Sequence, residues 1–396
     1  MKVLIISNHY RTFVVDQTTA LSKNKVSIEV LVHHNYLSEL ARYIPLPYFR
    51  HVEKYSIKNL VEWNRIPPNI NVRVVSTLYF LPDGKNWGLG DKLYKKYREY
   101  LLDSGIKFDL IHAHFTWPSG YVAVKLGKEF RVPVVVTAHG YDVYDLPFRG
   151  RAWFEKVKYT LDTTNHIITV SNSNKEILLE KLNIPKDKIS VIPNGFDPKL
   201  FHPMDQTLAR KKLGLPLDKK IILNVASLVP IKGHEYLIQA MKKVVRQRKD
   251  VLLVIVGEGQ LRGKLQQVVT QLELDKYVKF VGARPHHEIP LWMNAADIFV
   301  LPSLSEGNPT VMFEALGVGL PFVGTAVGGV PEIITSEDYG LLCEPANPKN
   351  LAEKILIALE KEWDREKIRK YAGQFTWKKI ANKILEIYKE VAGSER

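Results

Sequence analysis

One cysteine stands among 396 residues. Cys343 therefore has no intramolecular partner, and a disulfide framework is excluded. Its setting, Gly-Leu-Leu-Cys-Glu-Pro, reads as a strand end with a packed thiol. No run of 18 apolar residues occurs, so no transmembrane helix is expected. Met1-Lys2 followed by Val-Leu-Ile-Ile is too short for the apolar region of a signal peptide, and Asn8-His9 close it. That start reads as a first buried strand, and the expected location is the cytoplasm. The turn after Ile6 lacks a glycine fingerprint, which argues against a hydride-transfer enzyme. No Asp-x-Asp sequence marks a metal site at a strand end.

What is present is ordinary in bulk. Apolar residues make up 45% and charged residues 25% of the chain, enough for two or three domains with real cores. The net charge is +14. A nucleotide diphosphate, an anionic membrane surface or a nucleic acid would each answer such a charge. No nucleic-acid motif accompanies it, so no nucleic-acid partner is expected. Pairs such as Lys95-Lys96, Lys219-Lys220 and Lys242-Lys243 are spread along the chain, and each by itself reads as a solvated helix face. For the whole excess, peripheral attachment to anionic lipid is a working expectation.

Apolar strand-like runs alternate with amphipathic helical runs, the pattern of parallel α/β sheets. The first half reads as strands at 3–6, 28–32, 72–76, 110–113, 134–138, 167–170 and 190–192. A helix over 90–104 places Leu93, Tyr97, Tyr100 and Leu101 on one face and stops at Gly105. Ser173 with Glu176 three residues on predicts a capping box. Residues 45–65, rich in Tyr, Pro and Phe, fit no regular element. Around Pro193-Asn194-Gly195-Phe196-Asp197-Pro198 the alternation breaks, which marks a domain junction. A second series follows at 221–226, 251–256, 278–281, 298–301 and 321–324. Tyr236, Leu237, Ala240, Met241, Val244 and Val245 form a helical core stripe. The expected organisation is a domain over 1–195, rejoined by a last helix at about 376–396, and a second domain over 204–375. Ligands of such sheets bind beyond the strand C-termini.

The richest stretch is Leu301 to Ile334, LPSLSEGNPTVMFEALGVGLPFVGTAVGGVPEII. Glu306 and Glu314 have seven residues between them. Strand, polar turn and helix occur twice. Asn308 is read as the N-cap of the first helix and Pro309 as its first residue, and Pro331 opens the second. Two helix N-termini, with unpaired N–H groups and partial positive charge, suit an anion such as a diphosphate. Glu306 leaves the strand and sits at the mouth. Glu314 lies deeper, where a carboxylate could accept bonds from a diol such as ribose. The plain alternative is a strand-turn-helix with surface acids.

This segment resembles the E-x7-E signature of glycosyltransferase family 4, through EGNP-T, EAL-x-x-G-x-P and GG-x-P-E in order. DLIHAHFTWPSGYVA and VPVVVTAHGYD are similar to that family's N-terminal domains. The resemblance runs from Val3 to the last helix. It implies a GT-B architecture, two Rossmann-like domains facing across a cleft. It also implies a retaining transferase that moves a sugar from a nucleotide-diphosphate sugar, as co-substrate, to an acceptor hydroxyl without a metal or other cofactor.

Site residues follow from both readings. His139, after strand 134–138 and before Gly140, is placed to meet a sugar hydroxyl, and it matches the family's active-site histidine. His114 matches a pocket position. Arg11 and Asn194 are placed more loosely on the acceptor side. We read His112 and His114 as facing opposite sides of their strand, which would keep them off one metal ion. Lys232, directly after a strand, suits phosphate oxygens. The family pattern pairs that lysine with an arginine where this chain has Ser227, and Arg11 or Arg284 is the expected substitute. Gly257 borders the implied donor pocket, and Arg284 lies in the loop implied to meet the base. Gly307, Asn308, Pro309 and Thr310 would cradle the diphosphate, with Glu314 on the ribose and Glu306 beside the sugar. A glycine usual before Phe13 is Thr12 here. Two other readings remain: a nucleotide-sugar epimerase on the same fold, and a non-catalytic relative that binds nucleotide sugar or membrane. The acceptor would be a saccharide or lipid-linked saccharide.

Overall fold

The computed structural model describes residues 1–40, 56–80 and 85–393. The part of the aromatic segment at 41–55 lies outside them. Its remainder is more regular than its composition suggests: a turn of helix at Ile57–Leu60, a bridge from Tyr10 to Val61, and a 3-10 turn at Trp63–Arg65.

The chain divides into two compact units, Met1–Pro193 with Trp377–Arg396, and Asn194–Thr376. Among the described residues the first holds seven strands: β1 (Lys2–Ser7), β2 (Ser27–Asn35), β3 (Ile70–Thr77), β4 (Leu110–His114), β5 (Val134–Ala138), β6 (His166–Thr169) and β7 (Ile189–Val191). They are all parallel and lie in the order β3-β2-β1-β4-β5-β6-β7. The second holds β8 (Lys220–Val225), β9 (Val251–Val256), β10 (Val278–Gly282), β11 (Ile298–Leu301), β12 (Phe322–Thr325) and β13 (Gly340–Cys343). Their order, β10-β9-β8-β11-β12-β13, repeats the same winding. Each unit is Rossmann-like, reversing direction beside its first strand, between β1 and β4 and between β8 and β11.

Side-chain alternation explains why the strands are apolar throughout. Leu4 and Ile6 enter one core of the first unit while Val3 and Ile5 enter the other. Both faces of the sheet are covered by helices, so both parities must be apolar. In the second unit Val254 and Val256 go to one face and Val251, Leu253 and Ile255 to the other. Cys343, buried at the end of β13, is part of this packing, and burial pushes its thiol up to about 12.

One of two helix boundaries read from the sequence is kept and the other shifts. The helix Leu89–Ser104 ends on Gly105 at φ +62, a left-handed stop that glycine takes freely. The helix Asn172–Glu180, however, is capped by Ser171, whose side chain accepts from Asn174 N, so the cap lies two residues before Ser173. The last helix, Trp377–Gly393, buries Trp377, Ile380, Ile384, Ile387, Tyr388 and Val391 at helical spacing within the first unit. There the Tyr388 hydroxyl meets His112 Nδ1 at 2.6 Å, and His112 Nε2 meets Thr137 Oγ1 at 2.7 Å. This buried chain ties the last helix to β4 and β5. Tyr388→Phe strands a buried imidazole nitrogen and is expected to lower unfolding free energy by about 1–3 kcal/mol in urea titrations, with the fold retained.

Candidate functional site

In the first unit, functional side chains gather beyond the strand ends on either side of the reversal. His9 follows β1, His114 ends β4 and His139 follows β5. His112 and His114 share a face, because residues two apart on a strand point the same way. Their rings lie 4.7 Å apart, which corrects the opposite-face reading. His114 is fully buried, and its Nδ1 lies 3.0 Å from His139 Nε2. It therefore supports His139 from below and is not itself an open pocket residue. Phe13 and Phe115 hold the His139 ring at centroid distances of 4.7 and 4.6 Å.

Asp142 builds the loop that carries His139. Its buried carboxylate accepts from His139 N, Gly140 N and Thr116 N at 3.0, 2.9 and 2.8 Å. Gly140 sits at φ 135, ψ −83, which only glycine adopts without strain. Asp142 was within reach of the sequence as an acid three residues after a histidine that precedes glycine. Arg11 donates to the Asn59 carbonyl at 2.7 Å and lies 3.8 Å from Glu62. Thr12 has φ +47. The left-handed conformation expected of glycine is kept, at a cost to a β-branched residue.

Burial holds these imidazoles neutral. It lowers His9 to about 4, with Arg11 adding to the effect, and His112 and His139 to about 3. His114 is also well below the usual value, chiefly through burial.

In the second unit the loops after β8, β9, β11 and β12 converge at one edge of the sheet. Lys232 ends a 3-10 turn after β8, and its Nζ donates to Glu306 Oε1 at 2.5 Å. Ser303 Oγ donates to the same oxygen at 2.6 Å. Thr325 Oγ1, at the end of β12, donates to the Ser303 carbonyl at 2.5 Å. Glu306 and Glu314 are each 8% exposed, so neither is a surface acid. Glu314 meets His286 Nε2 at 2.9 Å. His286, just after Arg284-Pro285, is a partner that sequence reading missed.

Glycines allow these loops to approach. A Cβ on Gly328 would lie 1.7 Å from the Glu306 carbonyl oxygen, and φ is +52 there. Gly329 N donates to the Gly307 carbonyl at 3.0 Å. Gly257 stands at φ +149 with the Ala226 carbonyl 2.0 Å from where a Cβ would be. Its glycine is thus required by the end of β8.

Two details differ from expectation. Pro309, not Asn308, is the N-cap, and the helix is Thr310–Gly317. Asn308 is held by Asn194: Asn194 N donates to Asn308 Oδ1 at 2.9 Å, and Asn194 Nδ2 to the Asn308 carbonyl at 2.7 Å. The second helix, Val330–Ile333, is a single turn, too short to accumulate much dipole. Ser227 is exposed, and Arg284 turns back to the Val281 carbonyl and lies 5.7 Å from the Trp292 ring centre.

Residues 11–200 match the profile described as Glycosyltransferase Family 4, and residues 205–375 the one described as Glycosyl transferases group 1. An uncharacterized glycosyltransferase of Methanocaldococcus jannaschii is 32% identical over 338 residues, 80% of this chain and 83% of that one. The chain belongs to glycosyltransferase family 4. Another similar family member is the putative teichuronic acid biosynthesis glycosyltransferase TuaC of Bacillus subtilis. It is 35% identical over 252 residues, 62% of this chain but only 60% of TuaC's length. Among solved structures, sucrose-phosphate synthase from Thermosynechococcus elongatus superposes with a TM-score of 0.81 at 23% identity, each chain covered fully. Anabaena HepE, solved in complex with UDP, gives 0.73 at 21%, with 98% and 100% covered. These establish the GT-B fold for this glycosyltransferase.

Two outcomes test this geometry. Gly328→Ala must push the Glu306 backbone aside and is expected to lower both thermal stability and activity, read by calorimetry and donor turnover. The unfolded chain protonates its histidines below pH about 6.5, whereas His9, His112 and His139 resist until pH about 3–4. Stability should therefore fall as pH drops from about 6.5 toward 4, in unfolding curves across that window.

Proposed function

We propose that the protein moves a sugar from a nucleoside-diphosphate sugar to an acceptor hydroxyl, with retention at the anomeric carbon and no metal on the diphosphate. The observation that carries this is the Lys232–Glu306 pair among converging loops at the sheet edge of the second unit. An ammonium and a carboxylate held together there suit a substrate with an anionic leaving group and a polyol next to it. Lys232 and the N–H groups opening Thr310–Gly317 take the diphosphate, stabilising charge as the bond from the anomeric carbon to phosphate oxygen breaks. Glu314, steadied by His286, accepts from the ribose. Glu306 lies beside the sugar and offsets its developing positive charge.

The first unit supplies His139. Kept neutral by burial, its imidazole exchanges hydrogen bonds with hydroxyls and does not act as a fixed cation. We assign the acceptor side to this unit. Related proteins name several acceptor classes: teichuronic acid biosynthesis for TuaC, and inositol phosphate and phosphatidylinositol for others. A saccharide or lipid-linked acceptor fits these. The net charge of +14, with exposed Lys92, Lys95 and Lys96, favours work at an anionic membrane surface. Among the described residues no helix is long and apolar enough to cross a membrane.

Thermal denaturation with UDP, GDP, ADP and their sugar conjugates tests the reading. One base should raise the midpoint, since a ligand at 100 times its Kd adds about 2.7 kcal/mol. Glu314→Ala should abolish the shift. Glu306→Ala and His139→Ala should each cut donor turnover by roughly 100-fold with folding intact. No shift with any nucleotide near millimolar concentration, or full turnover in both variants, would overturn it.

A further inference from the structure

Asn308 is buried, at 5% exposure, and its Nδ2 has no hydrogen-bond partner among the described residues. A buried donor left unmatched costs stability, so its presence calls for a reason. The orientation of the carboxamide is fixed. Oδ1 accepts from Asn194 N, a group that can only donate, so the remaining branch must be the NH2. A second bond, from Asn194 Nδ2 to the Asn308 carbonyl, clamps the main chain at the same residue. Asn194 is the first residue of the second unit and is itself buried, at 8% exposure. Two bonds from one asparagine thus hold another so that a single N–H2 group is left to spare.

What would meet that group follows from its neighbour. Glu306, two residues earlier in the same loop, is an acceptor only, whereas Asn308 Nδ2 is a donor only. A hydroxyl both donates and accepts, so it can satisfy the two together. A phosphate oxygen only accepts, so it could meet the Asn308 donor but offers nothing to Glu306. The sequence places an uncharged donor in this loop, where lysine or arginine would serve a phosphate better.

We propose that Asn308 Nδ2 donates to a hydroxyl of the donor sugar and that Asn194 is the positioning residue that aims it. This rests on the nucleotide-sugar reading above. Asn308→Ala removes the donor but keeps the main-chain carbonyl for Asn194. Asn194→Ala leaves Nδ2 in place and loosens its aim.

The test is calorimetric binding of the nucleoside diphosphate and of its sugar conjugate to the wild-type protein and both variants, with KM and kcat for the conjugate. Asn308→Ala should weaken the conjugate roughly 3- to 10-fold, the worth of one uncharged hydrogen bond, and leave the bare diphosphate within about twofold. Asn194→Ala should raise KM for the conjugate by a smaller factor. A conjugate lacking the hydroxyl concerned should bind the wild type more weakly and be indifferent to Asn308→Ala. Equal losses for diphosphate and conjugate, or no loss for either, would overturn the inference while the nucleotide-sugar reading stands. If the wild type binds no nucleoside diphosphate, both fall.

Discussion

In a sheet of parallel strands every strand-to-helix loop leaves at the same edge. Polar residues tens of positions apart in sequence are thereby delivered to one line, and the reversal of strand order opens a crevice along it. All thirteen strands among the described residues obey that constraint, in two sheets of like winding. His9, His114 and His139 meet because β1, β4 and β5 are adjacent. Lys232 and Glu306 meet because β8 and β11 are. Without parallel pairing, a lysine and a glutamate 74 positions apart in the chain would have no reason to touch.

The same constraint governs what was legible in the sequence. Strands buried on both faces are unbroken apolar runs, so Val251–Val256 or Val134–Ala138 announce themselves. Glu306, Glu314, Lys232 and His139 stood out as candidates because each follows or flanks such a run within a recognisable motif. Partners that depend on which loops touch were not. His286 reaches Glu314 across 28 residues, and nothing local to either reveals it. Asn308 looked like a helix cap, since asparagine before proline usually is one. Its side chain was already engaged by Asn194, 114 residues away, and a tertiary bond overrode the local preference. Ser171 displaced Ser173 as a cap for a smaller reason: two serines stood within one turn, and only the extended backbone of Ser171 lets its hydroxyl accept from Asn174 N. The misjudged pair His112 and His114 was an error of periodicity, correctable from the sequence alone.

Glycine and strain were legible only in part. Gly257 was read as bordering the implied donor pocket, and the close Ala226 carbonyl gives its glycine a structural reason that no motif reveals. Thr12 shows the converse. The residue changed while the backbone kept its left-handed φ, so a missing glycine did not mean a missing conformation. Motif departures of this sort weigh less than they seem when the flanking structure over-determines the backbone.

A departure in charge weighs more. Ser227 is exposed and carries no charge, while Arg11 donates to the Asn59 carbonyl and Arg284 to the Val281 carbonyl. On the nucleotide-sugar reading proposed above, Lys232 would serve both the Glu306 carboxylate and the phosphate. A partly buried ion pair gains little net stability, because desolvation offsets most of the attraction. The Lys232–Glu306 contact is therefore easily exchanged for contacts of equal charge from a ligand. Ser303 also donates to Glu306 Oε1 and its carbonyl accepts from Thr325, so on the proposed reading the carboxylate would keep a neutral donor when the ammonium turned to phosphate. The glutamate is thus held by one neutral donor, Ser303, as well as by the lysine.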